Sequence, residues 1–406
     1  MSNQQLKLTF VGDVMCESKQ IPAHELSNGQ YDYNEVFIDI KTHLGKSDYV
    51  VANLETPIAG KELGYTTEKY SYNTPKEFVE SLKRSGVNLV STANNHCLDR
   101  GVQGLRNTIK QLDEIELKHV GTNSDKDSRK YLIEEIEGIK IGFLSYTYGT
   151  NAFANNVYLK KEEKYMVNLF QEQELNNRLT RKIYHNPANL FSRIYNKFGR
   201  LLNPQQFMKP VYERKERSIQ CKKQLVKDLK QCKEDGAEYI VMLMHAGGQY
   251  NDSPTTYTQK LSNFLLKKGV DAVIGNHEHV VHHCKIQGNN QEKITAYSLG
   301  GFSGIAGVYK EPYNKMADYS VIFNVYLSKK GNEVKVQKTT FSVIKSIPFG
   351  KDKVKTVLVN DLIRNCENEN ERQKLLSDNE KMVNTFFGSQ FKVVEIQDEY
   401  NLKSIN

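Results

Sequence analysis

Short apolar runs alternate with amphipathic stretches over most of the chain. Nearly continuous apolar runs predict strands that are buried on both faces, and they fall at Leu6–Val11, Tyr49–Ala52, Val87–Ser91, Ile139–Tyr146, Tyr239–Met244 and Ala272–Ile274. Helical patterns between these runs fall at Lys76–Arg84, Gly104–Ile115, Lys222–Cys232 and Thr256–Lys267. This alternation of strands and helices predicts an α/β architecture.

Later parts of the chain depart from this pattern. Apolar and polar residues alternate without intervening helices, which predicts antiparallel sheet, over Ile294–Leu299, Tyr319–Leu327 and Val334–Ile344. From Ser346 the chain becomes polar and helix-prone. We therefore predict one domain over residues 1–345, with a basic helical insertion at about 151–218, and a C-terminal helical appendage over 346–406. Because the composition of the insertion differs from its surroundings, we expect it to be peripheral to the core.

Polar residues follow the ends of five of the apolar runs. They are Gly12-Asp13-Val14, Asn53-Leu54-Glu55, Asn94-Asn95-His96 with Asp99, His245-Ala246-Gly247, and Asn276-His277-Glu278-His279. Ligands of open α/β sheets bind beyond the carboxyl ends of the strands. We therefore expect these five segments to converge on one crevice.

The residue types in these segments suit a hydrolytic site with bound metal ions. Such sites use carboxylate, imidazole and amide ligands, often with one carboxylate bridging two ions. The candidate ligands are Asp13, Glu55, Asn95, His245, His277 and His279, and His96 is left free as a proton donor. Each motif alone also fits a turn, a helix cap or a surface histidine pair, and we expect His282 and His283 to be such surface residues. The joint pattern favours the metal site.

These motifs resemble those of a known family. The segments G-D-V-M, N-L-E-T-P, N-N-H-x-x-D-x-G, H-A-G, V-I-G-N-H-E-H-V and Y-S-L-G-G-F resemble, in order, the motifs of the CapA family of poly-γ-glutamate capsule synthesis proteins, over roughly Leu6 to Phe302. That family is similar to the calcineurin-like metallophosphoesterases. The resemblance implies a four-layer α-β-β-α sandwich that binds one or two divalent ions of the Mn, Zn or Fe type.

The resemblance also implies a role for each candidate residue. Asp13 resembles the first metal-binding acid, and Glu55 takes the place of the bridging carboxylate. Asn95 resembles the amide ligand, and His96 resembles the acid that assists the leaving group. The later metal ligands are matched by His245, His277 and His279.

Several positions depart from the patterns of these families. Met15 stands where the phosphoesterases have a histidine, and a thioether is a poor ligand for hard or borderline divalent ions. Ala246 and Gln249 replace the tryptophan and glutamate that usually follow the matching histidine, and Gly301 replaces an asparagine. These differences put the substrate in doubt more than the fold.

The charge of the chain is concentrated in the insertion. The net charge is +8, and residues 178–217 alone carry ten lysines and arginines against two acids. Apolar residues fall on one face of a predicted helix over 190–202, with Arg193, Lys197 and Arg200 on the other. Such a helix either contacts an anionic membrane or polyanion, or packs on the body with its basic face in water.

The cysteines and the apolar stretches bear on the compartment. Six scattered cysteines without a C-x-x-C pair predict reduced thiols in the cytoplasm. Neither a signal peptide nor a membrane span is recognisable in the sequence. We expect a cytoplasmic protein, with peripheral membrane contact through the helix at 190–202 left open.

Three functions are compatible with these features. The first is a metal-dependent hydrolase of an ester, phosphoester or amide bond in an anionic cell-surface polymer or its precursor. The second is a non-catalytic assembly or polymer-binding module that retains the site, which the methionine at position 15 favours. A general phosphatase is disfavoured because D-x-H and a second G-D are absent. The expected partners are the anionic polymer and the capsule-synthesis machinery, and no nucleic acid.

Overall fold

Two β-sheets lie face to face in the computed structural model, which describes residues 5–67, 71–173, 215–288, 292–304, 316–389 and 395–402. The strands of this part of the chain are β1 Leu6–Val14, β2 Tyr49–Leu54, β3 Leu89–Ser91, β4 Lys118–Val120, β5 Tyr131–Ile136, β6 Ile139–Thr147, β7 Tyr239–His245, β8 Ala272–Asn276, β9 Val281–Gln287, β10 Lys293–Leu299, β11 Gly301–Ser303, β12 Tyr319–Lys330, β13 Glu333–Pro348, β14 Val354–Leu358 and β15 Tyr400–Asn401. The α-helices are α1 Gln20–Ala23, α2 Asn34–Leu44, α3 Lys76–Arg84, α4 Gly101–Glu114, α5 Ala152–Asn155, α6 Lys215–Glu234, α7 Thr256–Lys267, α8 Val359–Asn365 and α9 Glu369–Phe387. Short 3-10 helices occupy Lys61–Leu63 and Lys161–Met166.

Each sheet contains a block of adjacent parallel strands, which in the first sheet runs from β1 to β4. The first runs β14-β13-β12-β1-β2-β3-β4, with β11 paired to β1 and β15 paired to β13. The second runs β5-β6-β7-β8-β10-β9. Its neighbouring strands β6, β7, β8 and β10 are parallel. The antiparallel prediction is confirmed for β12 and β13, and β10 pairs antiparallel with β9, although β10 lies in the other sheet and also runs parallel to β8. Both faces of β10 are covered, so its alternation does not mark a solvated face.

Apolar side chains form three layers of contact. The inner faces of the two sheets meet through residues such as Phe10, Phe143 and Phe323. Helices α2 and α3 cover the outer face of the first sheet, and α6 and α7 cover that of the second. The predicted four-layer α-β-β-α sandwich is therefore confirmed. Among the described helices, none combines the length and apolar character needed to cross a membrane.

The C-terminal segment contains strands as well as helices. The predicted boundary at residue 346 falls within β13, and β14 and β15 both pair with β13. Helix α9 places Met382, Val383 and Phe386 in the cluster between the sheets. The described part of 346–402 thus belongs to the sandwich, while the domain limits themselves stay a prediction.

The start of the insertion is not peripheral. Met166 and Val167 pack against residues of α4, and Phe170 lies in the cluster beneath α6. Asn168 donates hydrogen bonds to the Ser145 and Lys130 carbonyls, and the bond to Ser145 is buried. The expectation of a peripheral segment is therefore wrong for residues 166–171, whereas most of 153–164 is exposed or half-buried. The predicted basic helix at 190–202 lies outside the described residues.

Candidate metal centre

The carboxyl ends of parallel strands from both sheets meet at one edge of the sandwich. Asp13 lies near the end of β1 and pairs with Asn53 on β2, while His245 ends β7 beside Asn276 of β8. A glycine is required at position 12, because a Cβ there would lie 1.8 Å from the Gly300 carbonyl oxygen. This close approach lets the Asp13 amide donate to that carbonyl at 3.0 Å and sets the position of the Asp13 side chain.

Glu55 lies at the centre of one group of possible ligands with His245 and His277. Its Oε1 atom is 3.4 Å from His245 Nε2 and 4.0 Å from His277 Nδ1. Ligands about 2.1 Å from one ion are separated by about 3.0–3.4 Å at octahedral or tetrahedral angles. Small side-chain adjustments would therefore bring all three onto one ion.

Glu55 also belongs to a second group, with Asp13 and His279. His279 Nδ1 lies 3.0 Å from Asp13 Oδ2, and His279 Nε2 lies 3.8 Å from Glu55 Oε1. A carboxylate shared by two ligand groups has the placement of a bridging ligand in a two-metal site.

Asn95 adds an amide to the first group. Its Oδ1 atom lies 2.7 Å from His245 Nε2. Its Nδ2 atom donates to Asn151 Oδ1 at 3.4 Å, which orients the Asn95 oxygen towards the histidine. All six predicted ligands are thus brought to one buried place.

Several ligand atoms of this cluster lack the hydrogen-bond partners that buried polar atoms normally have. Both carboxylate oxygens of Glu55 and the Nδ1 atom of His277 are buried without a hydrogen-bond partner in the described structure. Burial and the neighbouring Asp13 raise the pKa of Glu55 well above its usual value. Burial lowers the pKa of His245 to about 3 and that of His277 well below its usual value, so both imidazoles are neutral at pH 7. A divalent cation fits this donor set, since it binds neutral imidazoles and neutralises carboxylates.

Asp13 differs from Glu55 in its surroundings. Burial opposes its ionisation, but contacts with His279, His245 and Asn53 outweigh burial and hold the pKa of Asp13 below its usual value. Asn53 Nδ2 donates to Asp13 Oδ1 at 2.7 Å and lies 3.2 Å from His245 Nδ1. Asn53 therefore links ligands from both groups.

His96 lies in a hydrogen-bonded pair with Asp99. Its Nδ1 atom is 2.7 Å from Asp99 Oδ2, which also accepts a 2.7 Å hydrogen bond from the Tyr72 amide. The Tyr72 ring packs edge-on against the imidazole, with centroids 4.6 Å apart. Because Asp99 accepts from Nδ1, the Nε2 atom of His96 is left for another partner.

The loops that carry the histidines have unusual backbone conformations. His277 and His279 have positive φ angles of 101° and 58°, which are uncommon for residues with side chains and gather at functional sites. Gly247 faces Glu278, whose Oε1 atom lies 1.9 Å from where a Cβ would stand. Glu278 Oε2 accepts from the Gly248 amide at 2.8 Å, so this buried carboxylate ties the loop after His245 to the loop between the two histidines.

Three supporting residues had no role assigned from the sequence. Asn53, Asp99 and Glu278 all stand inside the quoted motifs, so the available signal was their adjacency to the candidate ligands. The expectation that His282 is a surface residue is wrong. It lies on β9, is buried, and its Nε2 atom is 2.7 Å from the Asn251 carbonyl oxygen.

Comparison with known proteins places the chain in a family. The model of the bacterial capsule synthesis protein PGA_cap family matches residues 7–304, and the chain belongs to this family. The capsule biosynthesis protein CapA of Bacillus anthracis is 24% identical over 336 residues, which are 82% of this chain and 66% of that protein. The PGA biosynthesis protein CapA of Bacillus subtilis (strain 168) is 23% identical over 333 residues, with 81% and 70% covered. The chain thus spans just under two thirds of the Bacillus anthracis relative.

Solved structures show more distant likeness. The calcineurin-like phosphoesterase YfkN from Bacillus subtilis aligns with a TM-score of 0.41 and 14% identity, covering 84% of this chain and 90% of that chain. The protein TT1561 of Thermus thermophilus aligns with a TM-score of 0.35 and 10% identity, covering 82% and 98%.

Proposed function

We propose that this protein is a metal-dependent hydrolase of an ester, phosphoester or amide bond in capsular poly-γ-glutamate, another anionic cell-surface polymer, or a precursor. The observation that carries the proposal is the pair of ligand groups that share Glu55. The family and the names of the two CapA relatives support a role in capsule biosynthesis.

The residues divide into two sets of ligands. His245, His277 and Asn95 with Glu55 would hold one divalent ion, and Asp13 and His279 with Glu55 would hold a second. When bound, such an ion lowers the pKa of a coordinated water towards about 7 and stabilises negative charge on the attacked group. The chain itself excludes solvent from these side chains, all of which are buried.

His96 would donate a proton to the leaving group. Asp99 holds its Nδ1 atom, so proton transfer takes place at Nε2. The negative charge of Asp99 stabilises the protonated imidazole and fixes the ring orientation. Proton donation of this kind contributes roughly 10²–10⁴-fold to a rate.

The proposed partners are the anionic polymer and the machinery that synthesises it. The ten basic residues within 178–217 motivate a polyanion or membrane-surface contact. A cytoplasmic location and the absence of a nucleic-acid partner remain predictions from composition.

A second candidate is a non-catalytic assembly or polymer-binding module. Met15 favours this candidate, because it stands directly after β1 and its thioether is a weak ligand for divalent ions. In that case the site would bind metal or polymer without turnover.

Turnover of model compounds separates the two candidates. Wild-type protein is stripped with a chelator, reloaded with Mn²⁺ or Zn²⁺, and assayed on phosphodiester and γ-glutamyl compounds. We expect metal-dependent hydrolysis of at least one class. A protein that binds metal but hydrolyses neither class would favour the assembly module.

A further inference from the structure

Two asparagines at the start of the insertion contact residues of the site, one the predicted ligand Asn95 and the other Asp99. Asn151 precedes the short helix α5 and Asn155 is its last residue, and both are 55 or more residues away in sequence from the residues they contact. Asn151 Oδ1 accepts from Asn95 Nδ2 at 3.4 Å. Asn155 Nδ2 donates to Asp99 Oδ1 at 2.7 Å.

The contact from Asn155 completes the surroundings of Asp99. Its Oδ2 atom already serves the Tyr72 amide and His96, whereas Asn155 is the donor recorded for Oδ1 in the described chain. The Asp99 side chain is buried, so loss of this bond leaves a desolvated carboxylate oxygen unsatisfied. The carboxylate would then be free to turn about its last torsion, and the bond to His96 would loosen with it.

The backbone conformation and side-chain contacts of Asn151 agree with the pairing of His96 and Asp99. Its φ angle of 50° lies in the left-handed region, which asparagine tolerates better than most residues. Its Nδ2 atom is 3.5 Å from His96 Nδ1, so Asp99 at 2.7 Å is the hydrogen-bond partner of that nitrogen. The start of the insertion therefore forms one wall of the site.

We propose that Asn155 is a positioning residue that acts through Asp99 to orient His96 for proton donation. This role rests on the proposed function of His96 as the acid. It couples the start of the insertion to the chemistry of the site.

A double-mutant cycle tests the coupling. Losing a hydrogen bond to a charged group should lower kcat about tenfold in Asn155→Ala, with KM changed less than about twofold. In a His96→Ala background the same substitution should change kcat by less than about twofold, because its target is gone. Equal losses in both backgrounds would overturn the proposal and indicate a purely structural role.

The leaving group gives a second readout. A 4-nitrophenolate leaves without much assistance, whereas a simple phenolate needs a proton. Asn155→Ala should therefore lose more rate on phenyl than on 4-nitrophenyl esters, and Ala154→Ser, on the exposed side of α5, should match wild type on both. A loss independent of the leaving group would contradict the proposal.

A readout without turnover distinguishes failure of this proposal from failure of the proposed function. The His96 Nδ1–H proton should give a nuclear magnetic resonance signal that exchanges slowly with water. We expect exchange to be roughly tenfold faster in Asn155→Ala, the factor of one charged hydrogen bond, and unchanged in Ala154→Ser. Unchanged exchange in Asn155→Ala would refute the positioning role even if no substrate is turned over.

Discussion

Two buried carboxylates at the same edge of the sandwich have opposite surroundings. Asp99 accepts hydrogen bonds from the Tyr72 amide, from His96 and from Asn155. Glu55 accepts none among the described residues and faces histidine nitrogens at 3.4–4.0 Å. Burial without partners makes ionisation of a carboxyl costly, which agrees with the raised pKa of Glu55, and a bound cation would favour the charged form. The chain supplies hydrogen-bond partners for Asp99, whereas the partners of Glu55 in the proposed function would be bound ions.

The largest effect should come from deleting residues 151–173, which include the Asn155 donor to Asp99. Replacing 174–214 with a Gly-Ser linker should leave a cooperative melt, since residues 151–173 keep their buried contacts. Deleting 151–218 removes Met166, Val167 and Phe170 from the core, at roughly 2–5 kcal/mol for each large side chain, and should abolish cooperative unfolding. Calorimetry checks this. Identical melts for both deletions would show that 151–173 is dispensable.

Substitutions of the histidines beside the two carboxylates should differ in their effect on bound metal. His277→Ala should lose bound metal and turnover together, because it removes a ligand of the Glu55 cluster. His96→Ala should keep its metal while turnover falls roughly 10²–10⁴-fold. Elemental analysis and kinetics on the same samples provide the measurement. Loss of metal from His96→Ala would mean that the acid and the ligand have been assigned wrongly.

The thermal response to metal should depend on Glu55. An ion at 100 times its Kd should stabilise wild type by about 2.7 kcal/mol. Glu55→Gln should show no such response, because the carboxylate shared by both ligand groups has been removed. Glu25→Gln, an exposed acid, serves as the control. A metal response of wild-type size in Glu55→Gln would break the contrast with Asp99.

The smallest effect concerns a carboxylate with partners that lies outside the site. Burial raises the pKa of Glu399, but bonds from Lys7, Thr340 and Tyr326 outweigh burial and hold this pKa below its usual value. Its contribution to stability is therefore complete above the unfolded-state pKa of about 4.3 and disappears as the pH falls through the folded-state pKa. Glu399→Gln should cost about 1 kcal/mol at pH 7.

The pH series supplies its own control. Denaturant melts of wild type and Glu399→Gln at pH 7 should differ, and the difference should shrink as the pH approaches 3. A difference that grows towards acid pH would reverse the sign of this linkage.

The sequence predicts the parts of the fold that depend on local pattern. The helices predicted at Lys76–Arg84 and Thr256–Lys267 agree with the structure to the residue. Their apolar residues recur at helical spacing, and turn-forming residues flank them. The ligand segments are predictable because each follows a buried strand. Strand β9 was missed because V-H-H-C-K-I-Q has polar residues on both faces, although His282 is buried within the sheet.

Other features depend on contacts between distant residues. The placement of β10 in the second sheet depends on its pairing with β8 and β9, which its alternating pattern does not encode. The bond from Asn155 to Asp99 joins residues 56 positions apart, and no local pattern marks Asn151 or Asn155. Similarly, the unpaired oxygens of Glu55 become apparent only when the surrounding side chains are placed.

Metal stoichiometry tests the central claim most directly. Protein stripped with a chelator is dialysed against Mn²⁺ or Zn²⁺, washed, and analysed for bound metal alongside Glu55→Gln and Glu25→Gln. The shared ligand groups predict one or two ions per chain in wild type and in Glu25→Gln, and none in Glu55→Gln. Wild type without metal above the buffer level, or Glu55→Gln with the wild-type amount, would contradict a metal centre built around Glu55.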